Sequence, residues 1–279
     1  MKNIIALLLL FLFLFSANLM AGNSEYYIKF DFGNRSEVGK LTKVVSIDNI
    51  ENNTIFAYAN EKQLRNLEFL GYTYEVLDHP GTLIDPPMAT DKVQITEWDS
   101  YPTYDAYVTM MYQFASDYPD LCEIINVGST VEGRDILFAR ISDNLAFEED
   151  EPEVMFTSSM HGDETTGYVL MLRLIDSILV TYGSDSLITR LVDSCEIWIN
   201  PLANPDGTYA SGNSSVYGAT RTNANGVDIN RNFPDPKGGP HPDGYSWQPE
   251  TVAMMNLADD QSFVISANFH GGTEVVNYP

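Results

Sequence analysis

The sequence predicts an α/β fold, a β-sheet flanked by helices on both faces, with a small α+β module ahead of it. Two observations carry this. From about residue 97, short apolar runs of strand length alternate with longer runs of helical spacing, the pattern of buried strands covered by helices. Residues 24–78 carry a tighter mixture of strand and helix patterns, cut off from the rest by the aperiodic, proline-rich "DHPGTLIDPPMATDK".

Within the module, "YYIKFDF" alternates as a strand and "RSEVGKLTKVV" has helical character. "TIFAYA" is a second strand, "NEKQLRNLEFLG" a helix behind an asparagine cap, and "YTYEVL" a closing strand. Taken alone, 22–78 is small for a self-sufficient core. Residues 79–96 read as a linker. In the larger unit, 97–279, "YDAYVTMMYQFASDYPD" is a helix stopped by proline. "EIINVGST" and "DILFARIS" are strands joined across "VEGR", and "EVMFTSSM" is a third strand. The long helix "GYVLMLRLIDSILVTY" leads to the strand "CEIWINPLAN", the helix "QPETVAMMNLADD" and a last strand "SFVISANF". In such a sheet the functional groups belong at strand exits and in the loops behind them.

The composition is globular, 44% hydrophobic and 19% charged. A formal charge of −24 excludes a nucleic-acid partner, because the phosphate backbone would be repelled. The densest acidic run, "FEEDEPE" (147–153), reads as a solvated loop. The first residues, "MKNIIALLLLFLFLFSANLMAG", join one lysine, an apolar stretch too short for a comfortable membrane span, and small residues. Residues 1–21 are therefore expected to be a secretory signal peptide cut after Ala21, leaving an exported chain with no stable membrane insertion; because Leu19 fits the small-residue rule poorly, an uncleaved anchor is the alternative. Cys122 and Cys195 each precede a strand-like run; a disulfide and two free buried thiols both fit. Asn34, Asn52 and Asn213 head glycosylation sequons.

The chemistry gathers in three places. "SSMHGDETTGY" sets His161 and Glu164 three apart at a strand-to-helix junction, where i and i+3 share a face and can converge on one cation. Alone this is weak, since a histidine there can simply cap the helix. His270 leaves the last strand into two glycines, "NFHGG", and adds a second imidazole. Two histidines and one carboxylate form a zinc set with a fourth position open for water. Between them, "ATRTNANGVDINRNFPDP" carries Arg221, Asn230 and Arg231 in a segment rich in Asn and Gly. One arginine suits a bidentate grip on a carboxylate and another an oxyanion; as a bare stretch it reads equally well as a surface loop with both arginines solvated. His79 and His241 have no place in this set and are expected to be exposed loop residues.

In order, "MHGDE", "INPLANPDG", "RTNANGVDINRNFPD", "QPET" and "NFHGGTEVVNYP" resemble the zinc metallocarboxypeptidases of the carboxypeptidase A family, most of all the branch with carboxypeptidases E, N and D. The likeness spans 97–279, and "VGSTVEGRDILFARISDN" fits the opening strands. It implies a mixed β-sheet and a Zn2+ cofactor held by His161, Glu164 and His270. It implies an Arg221 that polarises the scissile carbonyl and stabilises the oxyanion, with Asn230 and Arg231 holding the C-terminal carboxylate of a peptide or protein substrate. The protein is then expected to be a monomer. The 24–78 module resembles the pro-segment of many of these enzymes, although no motif there is diagnostic.

The family's general-base glutamate and the tyrosine that closes over substrate lie downstream of the "NYP" segment. Glu274 is too near His270 to be that base. The resemblance thus implies a chain that breaks off inside its site. Two other readings remain at this point: a zinc deacylase of the aspartoacylase type acting on N-acyl amino acids, against which the leader, the module and "HGG…NYP" argue, and a non-catalytic zinc- or peptide-binding fragment.

Overall fold

The computed structural model describes residues 24–91, 98–147, 149–272 and 276–277. The leader at 1–21, the end of the linker and Glu274 lie outside the described residues.

The module is built from β1 (Glu25–Asp31), a 3-10 turn (Arg35–Glu37) continuing into the one-turn helix α1 (Val38–Leu41), β2 (Ser46–Glu51), β3 (Thr54–Asn60), α2 (Glu61–Phe69) and β4 (Glu75–Leu77). Its antiparallel sheet has the order β2-β3-β1-β4. Ile28, Phe30, Ile55, Leu64 and Leu67 form its core. Asn60 supplies the expected cap: its side chain accepts from Gln63 N while the Gln63 side chain accepts from Asn60 N. The sequence pattern missed β2, because "SIDNIE" breaks alternation; the register shifts between Ile47 and Asn49.

The described part of the linker, residues 79–91, is more ordered than its prolines suggest. A 3-10 turn (Pro80–Thr82) is followed by β5 (Met88–Ala89), which pairs in parallel with β6 (Tyr101–Pro102). The expectation for His79 is corrected here. Its side chain is 15% exposed, accepts from Gly81 N through Nδ1 and meets Glu25 at 3.1 Å through Nε2. His241 is exposed as expected, its ring tilted against Trp247.

The larger unit contains α3 (Tyr104–Asp117), β7 (Cys122–Ser129), β8 (Asp135–Ile141), β9 (Glu153–Ser158), α4 (Thr166–Thr181), α5 (Ser186–Val192), β10 (Glu196–Asn200), α6 (Pro205–Thr208), α7 (Pro249–Asp260) and β11 (Phe263–Phe269). The five-stranded sheet has the order β11-β9-β10-β8-β7. β11, β9 and β10 are parallel and β8 and β7 antiparallel, so the sheet is mixed. α3, α4 and α5 cover one face through Tyr107, Phe114, Leu172, Ile175 and Val192. On the other face α7 sets Ala253 and Leu257 against Ile136, Phe138 and Trp198. Each such fully buried aliphatic or phenyl side chain contributes about 1.5–3 kcal/mol. Cys122 and Cys195 are free thiols; burial pushes Cys122 up to about 12.

Thr157 of β9 lies level with both Asn200 of β10 and Asn268 of β11. Three parallel strands therefore end side by side, and everything that follows them shares one edge of the sheet.

Candidate metal centre

β9 ends at Ser158, and Ser159 turns the chain with a φ of 52°, a left-handed conformation uncommon outside glycine. The bend is secured by Ser159 Oγ donating to Glu164 O at 3.0 Å. It carries His161 and Glu164 in a tight turn ahead of α4, with Glu164 N donating to His161 O at 3.2 Å. The pair thus converges from a turn rather than from the helix face the spacing suggested. Gly162 lies so close to α6 that a Cβ would fall 2.3 Å from the Gly207 carbonyl carbon. Only glycine fits there. His270 follows β11 directly, and Gly271 N donates to Glu164 Oε2 at 2.9 Å.

His161 Nδ1 is 2.8 Å from Glu164 Oε1, His270 Nδ1 is 2.8 Å from Glu164 Oε2, and the two Nδ1 atoms are 3.2 Å apart. Ligand atoms about 2.0–2.1 Å from a tetrahedral zinc sit about 3.3 Å from one another. Two imidazole nitrogens facing each other this closely cannot both donate, whereas a shared cation uses both lone pairs. The donor set fits zinc. Asp163, Arg221 and Asp228 complete the charged surroundings.

Asp228 Oδ1 accepts from His161 Nε2 at 3.0 Å and from Asn230 N at 2.9 Å. Holding the proton on Nε2 leaves Nδ1 free for a metal. Burial alone would push Asp228 up and His161 down; their mutual attraction reverses both, leaving the carboxyl far below its usual range and the imidazole raised. Glu164 behaves alike. Burial opposes its charge, but His161, His270 and the Gly271 N–H hold it well below the carboxylate range. Asp163 is less well supported: Oδ1 has no partner, and burial, then the charge of Glu25, outweighs the Tyr58 hydrogen bond and the Arg221 charge and pushes it up to about 6.

Arg221 is 6% exposed, so the solvated-loop alternative does not hold for it. Its Nη1 donates to Glu164 Oε1 at 3.2 Å and its Nε to Ser46 Oγ at 2.7 Å. Ser46 belongs to the module, and its hydroxyl also bonds Asp228 Oδ2. Glu25 accepts from Arg221 N at 2.7 Å and Thr222 N at 2.9 Å, and the Tyr58 ring lies 5.4 Å from the guanidinium. Asn60 Nδ2 donates to Gly226 O at 2.8 Å. Four module residues therefore touch the 221–226 segment.

Asn230 is exposed, its amide 3.4 Å from His270 Nε2; Arg231 is half-buried and bonds the Asn230 carbonyl at 3.1 Å. All six residues singled out in the sequence lie in this region, but Arg231 makes no direct contact with the metal triad among the described residues. Sequence reasoning missed Asp228, Ser46 and Glu25. Asp228 had a faint signal, an acid between the buried Val227 and Ile229. The other two had none, since their roles exist only once the module is docked.

The zinc carboxypeptidase family model matches residues 107–279. Mouse carboxypeptidase D is 38% identical over 215 residues, covering 74% of this chain and 15% of the relative. The mouse carboxypeptidase N catalytic chain is 38% identical over 198 residues, covering 63% of this chain and 43% of the relative. The chain thus spans well under half the length of these relatives. Among solved structures, carboxypeptidase A from Helicoverpa armigera superposes with a TM-score of 0.63 at 18% identity, over 91% of this chain and 71% of that one. Thrombin activatable fibrinolysis inhibitor gives 0.54 at 15%, over 88% and 70%. These two likenesses bear on the fold; the sequence match over 107–279 decides the family, and the chain belongs to the zinc carboxypeptidases.

Proposed function

We propose that this chain is the catalytic part of an exported zinc metallocarboxypeptidase that removes C-terminal residues from peptides or proteins. The convergence of His161 Nδ1, Glu164 and His270 Nδ1 carries the reading. Zinc bound there supplies Lewis acidity that polarises a carbonyl and acidifies a water. The residues of the chain do the rest. Asp228 fixes the His161 tautomer, Arg221 offers its guanidinium to the charge that develops on the scissile carbonyl, and Asn230 with Arg231 holds the terminal carboxylate. Export rests on the leader at 1–21.

Residues 24–78 act, in this proposal, as a pro-segment. Ser46, Glu25 and Tyr58 keep Arg221 buried and engaged, so the arginine reaches substrate only after the module withdraws. Peptide acids and the matching amides, assayed before and after removal of the module, test both claims. Cleavage restricted to acids and increased by removal is the expected result. Equal turnover of acids and amides would refute exopeptidase action, and preferential hydrolysis of N-acyl amino acids would favour a deacylase.

A further inference from the structure

An open cleft of about 540 Å³ separates the module from the 228–245 loop. Its charge runs against the rest of the molecule. The chain has 15 Lys and Arg against 39 Asp and Glu, yet Lys43 and Lys62 of the module and Arg231 and Lys237 of the loop all line this cleft. Among the described residues, none of the four stands in an ion pair within 4.0 Å. Lys62 is held over the Tyr245 ring at 4.3 Å, and Arg231 bonds a neutral carbonyl.

Three carboxylates also line the cleft; Asp228 and Asp243 are bonded through both oxygens, while the exposed Asp235 is bonded through Oδ1 alone and its charge interacts with Lys237 and Lys43. Asp228 belongs to the His161 network, Asp235 accepts from the N–H groups of Lys237 and Gly238, and Asp243 accepts from Tyr245 N and Asn232 Nδ2. The volume lies within the roughly 300–1,000 Å³ of sites that enclose a ligand with a body, far more than one oxyanion needs. Phe233 and Tyr245 supply aromatic wall for such a body.

We propose that this cleft docks acidic peptide segments, with Asp or Glu side chains taken by Lys43, Lys62, Arg231 and Lys237. Clustered cations in a molecule of opposite overall charge focus the field and attract anionic groups. Because the walls come from two units, a bound acidic segment ties the module to the 228–245 loop.

The test uses a fluorescent, N-acetylated tri-glutamate amide and the whole 279-residue chain with zinc added. The amide has no free C-terminus and the variants below leave Arg231 in place, so the outcome does not depend on recognition of a chain end. Fluorescence anisotropy should show saturable binding that weakens with salt, as for exposed charges. The Lys43→Gln/Lys62→Gln double variant should bind at least about tenfold more weakly, and Lys237→Gln severalfold more weakly. The tri-lysine counterpart should not bind, and circular dichroism should show the variants folded. Absence of saturable binding, or unchanged affinity in the double variant, would overturn the proposal. So would displacement by inorganic phosphate at matched ionic strength through the same two lysines, which would make the cleft an oxyanion site.

Discussion

The metal centre has two unlike halves. On one side His161, Asp228 and Arg221 are 2%, 5% and 6% exposed and bonded to one another or to Ser46. On the other, the His270 side chain is 32% exposed, and its neighbour Asn230 lies at the surface. The first half is assembled by folding itself, since its charges are matched by buried partners. The second is pinned mainly through Glu164 and the Gly271 N–H. Preorganisation and access are thus assigned to different ligands.

The largest expected effect separates the halves directly. His161→Ala should abolish zinc binding and also destabilise the metal-free chain by about 3–5 kcal/mol, because Asp228 and Glu164 lose a buried partner. His270→Ala should lose zinc equally while shifting metal-free stability by only about 0.5 kcal/mol. Denaturant unfolding in a chelator measures both; equal destabilisation would break the comparison. Next, Asp228→Asn should weaken zinc binding 10–100-fold, as for other partners that orient a ligating histidine, read by competition with a chelating dye.

The pH dependence of metal-free stability sharpens the contrast. Asp163, raised from 3.8 to about 6, binds its proton more tightly folded than unfolded. Stability therefore falls as pH rises from about 4 to 6, by about 2–3 kcal/mol, and Asp163→Asn should flatten that slope. His161 acts in the same direction, its raised pKa giving stability that is lost as pH climbs beyond 6.5. Glu164 and Asp228 act oppositely, with contributions present above 4.5 and 3.8 and lost as pH falls below those values. A metal-free chain whose stability rises steadily from pH 4 to 8 would contradict this assignment. The smallest effect belongs to the module. Ser46→Ala should loosen its docking by about 1 kcal/mol, seen as faster hydrogen exchange in 219–228.

The halves also differ in how far the sequence revealed them. Strand periodicity and two glycines placed His270 at a strand exit, and the spacing put His161 and Glu164 at a strand-to-helix junction though not in the turn that holds them, because backbone patterns and ligand spacing are local. The mixed sheet came only through resemblance, since apolar runs do not encode strand direction. Asp228 lies two residues before Asn230 and yet was overlooked. Its task, orienting His161 across 67 positions of sequence, is visible only in three dimensions. His79 shows the same limit: a histidine in a proline-rich stretch reads as exposed until Glu25 closes over it.

The most direct test of the account is zinc content combined with X-ray absorption, on the wild-type chain and on His161→Ala. One zinc per chain is expected, with two imidazole nitrogens and carboxylate oxygen about 2.0–2.2 Å away, and none in the variant. Full zinc occupancy in His161→Ala, or a sulfur ligand in the wild type, would contradict the centre built by His161, Glu164 and His270.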